Sequence, residues 1–261
     1  MKEIDVKKLS RLFIPLICVL CIACLVSFTM LLIRGVDVEK LSKSSNATEI
    51  VCSSPAALKP THDYGENYIN SIIFVGDTTV SSMAELELLA YPHQIWSDAK
   101  GSLALDYNLS TTAIIYSDDK EGVSIASAAS GIKPEYMVIT VGIENGVSYC
   151  SEEKFKEYYC KLIESLKESS PQTKIILQSI FPVSKSYEKQ NPELSNDRIN
   201  RANLWIQEIA ESESIKYLDT ASILKQTNGK LNPTYDSGDG IHMNSKGFQA
   251  MLNYIRTHGY K

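Results

Sequence analysis

The chain has 261 residues, 44% hydrophobic content and a formal net charge of −5, which suits one globular domain with an appendage. The acidic balance and the lack of any basic run exclude the electrostatic footprint of a nucleic-acid binder. No His/Cys/Asp cluster has zinc spacing and no glycine-rich turn has phosphate-loop spacing, so neither a metal nor a cofactor is expected.

Residues 12–33 (LFIPLICVLCIACLVSFTMLLI) carry no charge, and about 20 apolar residues at helical rise cross a bilayer core. Nothing charged or strongly polar interrupts the run on any face, which argues against a buried soluble helix. Lys2, Lys7, Lys8 and Arg11 precede it with only Glu3 and Asp5 among them. Arg34, Lys40 and Lys43 follow, mixed with Asp37 and Glu39. The positive-inside bias predicts a cytoplasmic N-terminus, residues 1–11, and a single-pass cell-membrane protein whose C-terminal part is extracytoplasmic. A cleaved signal peptide would be shorter and end in an A-x-A-like site, so an uncleaved signal anchor is the reading. Residues 34–62 mix Lys, Ser, Asn, Glu, Pro and Thr with little periodicity, as a juxtamembrane stalk does. Sequons at Asn46 and Asn108 are short patterns that arise by chance and carry little weight.

Cys18, Cys21 and Cys24 lie within the span, while Cys52, Cys150 and Cys160 lie outside it, an odd number that leaves at least one unpaired in the monomer. A helix across 150–160 would hold the last two α-carbons about 15 Å apart, too far for a bridge.

From residue 63 to 261 strand-like and helix-like runs alternate. The first strand is expected at 71–76, where "SIIFVGDTTV" runs from an apolar, β-favouring stretch into a sharp turn. A short strand near 94–97 and a hairpin around 118–122 follow. Strands are then expected at 136–142, 173–179 and 215–218. Helices are expected at 152–169, 196–212 and 244–257, each with apolar residues at three- and four-residue steps. This alternation predicts a parallel sheet covered on both faces.

Two stretches carry chemistry. Thr78 sits just past the first strand, where open α/β sheets hold their ligands. Near the end, "DSGDGIHMNSKGF" places Asp239 three residues before His242, ahead of a helix capped by Asn244 or Ser245. On a tight loop that spacing lets the carboxylate fix the ring tautomer and leave the other nitrogen as a base. His62, His93 and His258 have no partner recognisable in the sequence and read as surface or packing residues.

With those blocks in order, residues 63–261 resemble the SGNH (GDSL-like) hydrolase superfamily. "FVGDTTV" is similar to the block that usually reads G-D-S, "DAKGSLALD" to the second block, "TVGIENGV" to the G-x-N block, and "DGIHMNSKGF" to the D-x-x-H block. The resemblance implies a three-layer α/β/α sandwich with a mostly parallel, flavodoxin-like sheet, and ester or O-acyl hydrolysis without a metal. It implies Thr78 as the attacking hydroxyl, His242 as general base and Asp239 as its orienter. The implied oxyanion donors are the Thr78 and Gly101 N–H groups and the side chain at position 144; Asp77 and Asn145 support them.

Two departures stand out. Thr78 replaces the usual serine, and its β-methyl restricts χ1 and crowds the approach to an acyl carbon. Glu144 stands where the pattern has asparagine, with Asn145 one step late on the opposite side of an extended segment. Losing one oxyanion donor costs about a hundred- to thousand-fold in turnover; a buried, protonated Glu144 would restore one. Two functions follow as expectations. One is a membrane-anchored extracytoplasmic esterase, weakened, acting on an O-acyl ester of an envelope glycan or small molecule. The other is a non-catalytic relative that binds a glycan, peptide or protein in the cleft. Acyl transfer would use the same residues as the first.

Overall fold

The computed structural model describes residues 54–116 and 122–260. The expected transmembrane span 12–33, with Cys18, Cys21, Cys24 and Cys52, lies outside the described residues. Among the described residues no helix is long and apolar enough to cross a membrane.

The elements in chain order are α1 (Glu66–Asn70), β1 (Ile72–Gly76), α2 (Thr78–Ser81), β2 (Ile95–Trp96), β3 (Ala113–Ile114) and β4 (Val123–Ser124). Then come α3 (Ile125–Ile132), β5 (Tyr136–Thr140), α4 (Gly146–Tyr149), α5 (Glu152–Ser169), β6 (Lys174–Gln178) and α6 (Lys185–Gln190). The chain continues through α7 (Asn196–Ser212), β7 (Lys216–Leu218), α8 (Thr220–Leu224) and α9 (Ser245–Arg256). Five strands form one parallel sheet in the order β2-β1-β5-β6-β7. β3 and β4 pair antiparallel on their own, flanking the expected hairpin, whose tip is not described.

Side chains alternate across this sheet, as the pleat demands. Val75, Met137, Ile139, Ile175 and Leu177 enter one core, with apolar residues of α3, α5 and α7. Ile72, Phe74, Val138, Ile176 and Leu218 enter the other, with those of α1, α8 and α9. The result is helix, sheet, helix in three layers, as expected for strands apolar on both faces.

Local chemistry explains the long helices. Ser151 accepts from the Lys154 N–H to cap α5, and Glu152 and Glu153 complement the dipole in its first turn. Lys156 reaches Glu152 at 2.6 Å and Lys161 reaches Glu157 at 2.8 Å, both one turn apart. The helix begins at Glu152, so Cys150 precedes it; Cys150 and Cys160 are both free thiols. His62 packs on Tyr64, and His258 stacks on Tyr254 with ring centroids 3.8 Å apart.

The stalk expected over 34–62 is corrected at its C-terminal end. Ala57 bridges Tyr217 in parallel fashion: Tyr217 N–H donates to Ala56 O at 3.0 Å and Leu58 N–H donates to Tyr217 O at 2.8 Å. Ser54 is buried and its hydroxyl donates to Glu211 Oε1 at 2.5 Å. Residues 54–58 thus close the open edge of β7, a need that composition does not reveal. Downstream, Arg256 pairs with Asp63 and Glu66, tying the start of the domain to its last helix.

Strand order reverses at β1. The chain leaves it for β2 on one side, then crosses to β5 on the other. Sheets of this kind bind ligands outside the carboxyl ends of the strands at such a reversal.

Candidate active site

The exits of β1 and β5 are locked together by one carboxylate. Asp77 caps α2 through Oδ1, accepting from Thr79 N–H at 3.1 Å and Thr79 Oγ1 at 2.6 Å. Its Oδ2 accepts from the N–H groups of Gly142 and Ile143, each at 3.1 Å. Asp77 is 1% exposed. Burial pushes its pKa up to about 6, although the bonds from Thr79 and Ile143 favour the charged form. Gly76 before it cannot carry a side chain, since a Cβ would lie 2.5 Å from the Val80 Cβ.

This lock sets Thr78 at the first turn of α2, facing the loop after β5. Its N–H makes no hydrogen bond to the described residues, as is usual at the start of a helix. Its hydroxyl donates to Glu144 Oε1 at 3.0 Å. Glu144 is half-buried, and its carbonyl accepts from Leu105 N–H at 3.1 Å and Gly146 N–H at 2.8 Å. Asn145 is exposed at φ +64°, so the extended geometry expected across residues 144 and 145 is replaced by a turn. Tyr159 braces the same loop by donating to Val141 O at 2.6 Å.

His242 comes from the loop before α9. Its Nδ1 lies 2.6 Å from Asp239 Oδ2. Asp239 Oδ1 accepts from His242 N–H at 2.9 Å, Ile241 N–H at 3.0 Å and the Ser237 hydroxyl at 3.2 Å. Partial burial pushes the Asp239 pKa up, but the bonds from His242 and Ile241 outweigh it and hold the carboxyl at about 2. The carboxylate therefore selects the tautomer with the proton on Nδ1 and the lone pair on Nε2.

Two residues not singled out for a role in the sequence build that loop. Asp236 Oδ1 accepts from Gly238 N–H at 2.8 Å and Gly240 N–H at 2.9 Å. Gly240 O accepts from Ser184 N–H at 2.7 Å, docking the loop at the start of α6. Asn244, expected as a cap, accepts from Lys246 and Gly247 N–H and donates to Asp236 O at 2.9 Å. The D-x-x-D-x-x-H spacing was the available signal for Asp236, since Asp and Gly in alternation form successive Asx turns.

Thr78, Ser81, Gly101 and His242 line one cavity of about 710 Å³, with Lys100 and Ser245 at its walls. No hydrogen bond joins Thr78 to His242; the hydroxyl is directed to Glu144 instead. Gly101 adopts φ +71°, which favours glycine, and its carbonyl accepts from the Ser81 hydroxyl at 2.8 Å. Its N–H, implied as an oxyanion donor, donates to Asp98 O at 2.9 Å in this arrangement. Ser81 follows Thr78 by three residues, hence on the same side of the turn. Among the described residues no group of His, Cys, Asp and Glu is arranged to hold a metal ion.

A parallel sheet in the order β2-β1-β5-β6-β7, with an Asp–His pair and a hydroxyl meeting at one cavity at its reversal, defines an α/β domain of flavodoxin-like topology. The sequence model of the GDSL-like lipase/acylhydrolase family matches residues 108–250, more than half of the chain, which therefore belongs to that family. Glu144, Asp239 and His242 fall inside the matched span, whereas Thr78 and Gly101 precede it. No curated protein matches the chain. Among solved structures, a proposed acylhydrolase from Bacteroides fragilis is 17% identical with a TM-score of 0.50, covering 80% of this chain and 91% of its own. A GDSL-like lipase from Bacteroides thetaiotaomicron is 16% identical with a TM-score of 0.50, covering 71% of this chain and 85% of its own. At these identities the likeness speaks for the fold: a mostly parallel α/β sandwich.

Proposed function

We propose that the chain is an ester hydrolase of reduced turnover, held at the cell membrane by residues 12–33 with its catalytic domain outside. Its substrate is an O-acyl ester of an envelope glycan or of a small molecule. The observation that carries the reaction is the 2.6 Å Asp239–His242 pair on the cavity that Thr78 also lines. Thr78 Oγ1 attacks the acyl carbon while His242 Nε2 takes its proton, and the alcohol leaves with that proton. A water, deprotonated by the same imidazole, then attacks the threonyl ester, and the acid is released as the imidazole returns that proton to Thr78 Oγ1. The free Thr78 N–H is the oxyanion donor available in this arrangement. The lack of charge along 12–33 and the basic residues before it support the anchored placement.

A second reading rests on one contact. The Thr78 hydroxyl donates to Glu144, which diverts it from His242 and sets a carboxylate where a developing oxyanion needs a donor. On that reading the cleft binds a glycan, peptide or protein without turning it over.

The test uses the compact unit Val51–Lys261 and an aryl acetate. Under the hydrolase reading wild type shows slow turnover that His242→Ala abolishes. Glu144→Asn, by replacing a carboxylate with a donor, is expected to raise kcat by about a hundredfold, and Thr78→Ser raises it further. Silence of the wild type, both single variants and the double variant would reject the hydrolase and leave the binding reading.

A further inference from the structure

Glu144 is a carboxylate set against the attacking hydroxyl. Its Oε1 accepts from Thr78 Oγ1 at 3.0 Å, and among the described residues no cation pairs with it. Its backbone fixes it in the half-buried loop after β5, where Leu105 and Gly146 both donate to its carbonyl. Burial raises the pKa of Asp77 and of the Tyr187 phenol, and the Glu144 charge raises both further, as an uncompensated charge does. Lys100 and Glu85 on the cavity wall are exposed and opposite in sign, so they leave that field in place.

Such a carboxylate penalises a neutral acyl group twice. It holds the Thr78 proton away from His242, and it repels the negative charge that develops on the carbonyl oxygen. Both penalties reverse for an acyl group that carries its own positive charge. An ammonium donates more strongly to Glu144 than a neutral hydroxyl does, so it displaces Thr78 Oγ1 and frees that hydroxyl to turn to His242. The same ammonium lies beside the developing oxyanion and supplies positive charge that the Gly101 amide, engaged by Asp98, does not.

Connectivity says where the charge must sit. The alcohol leaves with the proton from His242 Nε2 and therefore faces the imidazole. The acyl carbon becomes bonded to Thr78 Oγ1, the atom that Glu144 contacts, and an α-nitrogen lies only two bonds beyond that carbon. There it stays within reach of Glu144 through attack, threonyl ester and hydrolysis. A cation on the alcohol departs in the first step.

We propose that Glu144 binds the α-ammonium of an aminoacyl group whose ester carbonyl lies at Thr78, so that the substrate is an aminoacyl ester. This rests on the hydrolase reading for the placement of the carbonyl. The bonds made and broken are those of that reaction, and the products are a free amino acid and the alcohol. Selectivity comes from Glu144 alone: it forms a charged pair with the aminoacyl group and opposes the oxyanion of a neutral one.

Alanine methyl ester and methyl isobutyrate differ only in an ammonium for a methyl group of similar size. Both are assayed with the purified full chain and with Glu144→Gln, which removes the charge at nearly constant shape. Acetylcholine, with its cation on the alcohol, is the third ester. Alaninamide reports binding by ligand-observed NMR, with isobutyramide as its neutral counterpart. The alanine-to-isobutyrate ratio of kcat/KM, corrected for uncatalysed hydrolysis, is expected to be at least tenfold larger in wild type than in Glu144→Gln. Comparing ratios cancels the intrinsic reactivity of the alanine ester. Alaninamide binding is expected to weaken at least tenfold in Glu144→Gln, and Glu144→Asp to restore part of both. Equal ratios in wild type and Glu144→Gln, or alaninamide bound no better than isobutyramide by wild type, overturn the proposal. So does a wild type that favours acetylcholine and treats the other two esters alike. A chain that hydrolyses the isobutyrate with an unchanged ratio in the variant rejects the aminoacyl assignment alone. One that binds alaninamide through Glu144 and hydrolyses none of the esters keeps the cation site and rejects the hydrolase reading.

Discussion

Asp77 joins two strand ends from inside the protein, and among the described residues no cation pairs with it. Its four donors hold Thr78 and the Glu144 loop in register, so the same carboxylate bears on fold and on site. Because burial raises its folded pKa to about 6 from 3.8, the folded state binds the extra proton between those values. Stability then rises as pH falls through that window, by about 3 kcal/mol in all. Asp239, held at about 2, acts in the opposite direction and only below the ordinary carboxylate range; half exposed, it contributes less. Wild type is therefore expected to gain stability relative to Asp77→Asn when urea midpoints are compared at pH 7 and pH 4. A gap that does not change with pH would show that Asp77 does not titrate there. The Asp239–His242 pair was legible in the sequence because three residues on a tight loop suffice to bring the two groups together. The Thr78–Glu144 bond was not: it depends on the register of β1 against β5, residues 66 apart in the chain.

The elements followed from local rules where they are long. The helices expected at 152–169 and 196–212 have those bounds, because first-turn acids and a continuous apolar stripe act within each segment, joined in the first by the Ser151 cap. Short elements, such as β2 with two residues or the 3₁₀ turn before Glu87, take their shape from neighbours. Residues 54–58 show the same dependence: low periodicity suggested a stalk, yet they complete the sheet edge at β7. Fragments beginning at residue 54 and residue 60 separate the two views. The shorter one loses two backbone hydrogen bonds and the burial of Ala56, so it should be less stable by about 2–3 kcal/mol. It should also self-associate through the bared strand. Equal melting temperatures and equal solubility would return 54–58 to the stalk.

At the scale of the whole molecule, one sheet separates two apolar cores. Phe155 of α5 fills one core and Phe248 of α9 the other, both fully buried. Substituting either by alanine is expected to cost about 3–5 kcal/mol. With no shared partners, the double variant should lose the sum to within about 0.5 kcal/mol. Strong non-additivity in denaturant titrations would mean that the layers are coupled through the sheet.

The order of strands and helices, the parallel sheet, and the Asp–His pair were all determined by the sequence itself, since each depends on periodicity or on spacing within a few residues. The tertiary structure alone decided that Thr78 turns to Glu144, that the Gly101 amide is engaged by Asp98, and that residues 54–58 guard an edge. Hydrogen-bond partners and cavities arise between segments distant in the chain, and their geometry exists only once the sheet has set the register and the two cores have closed.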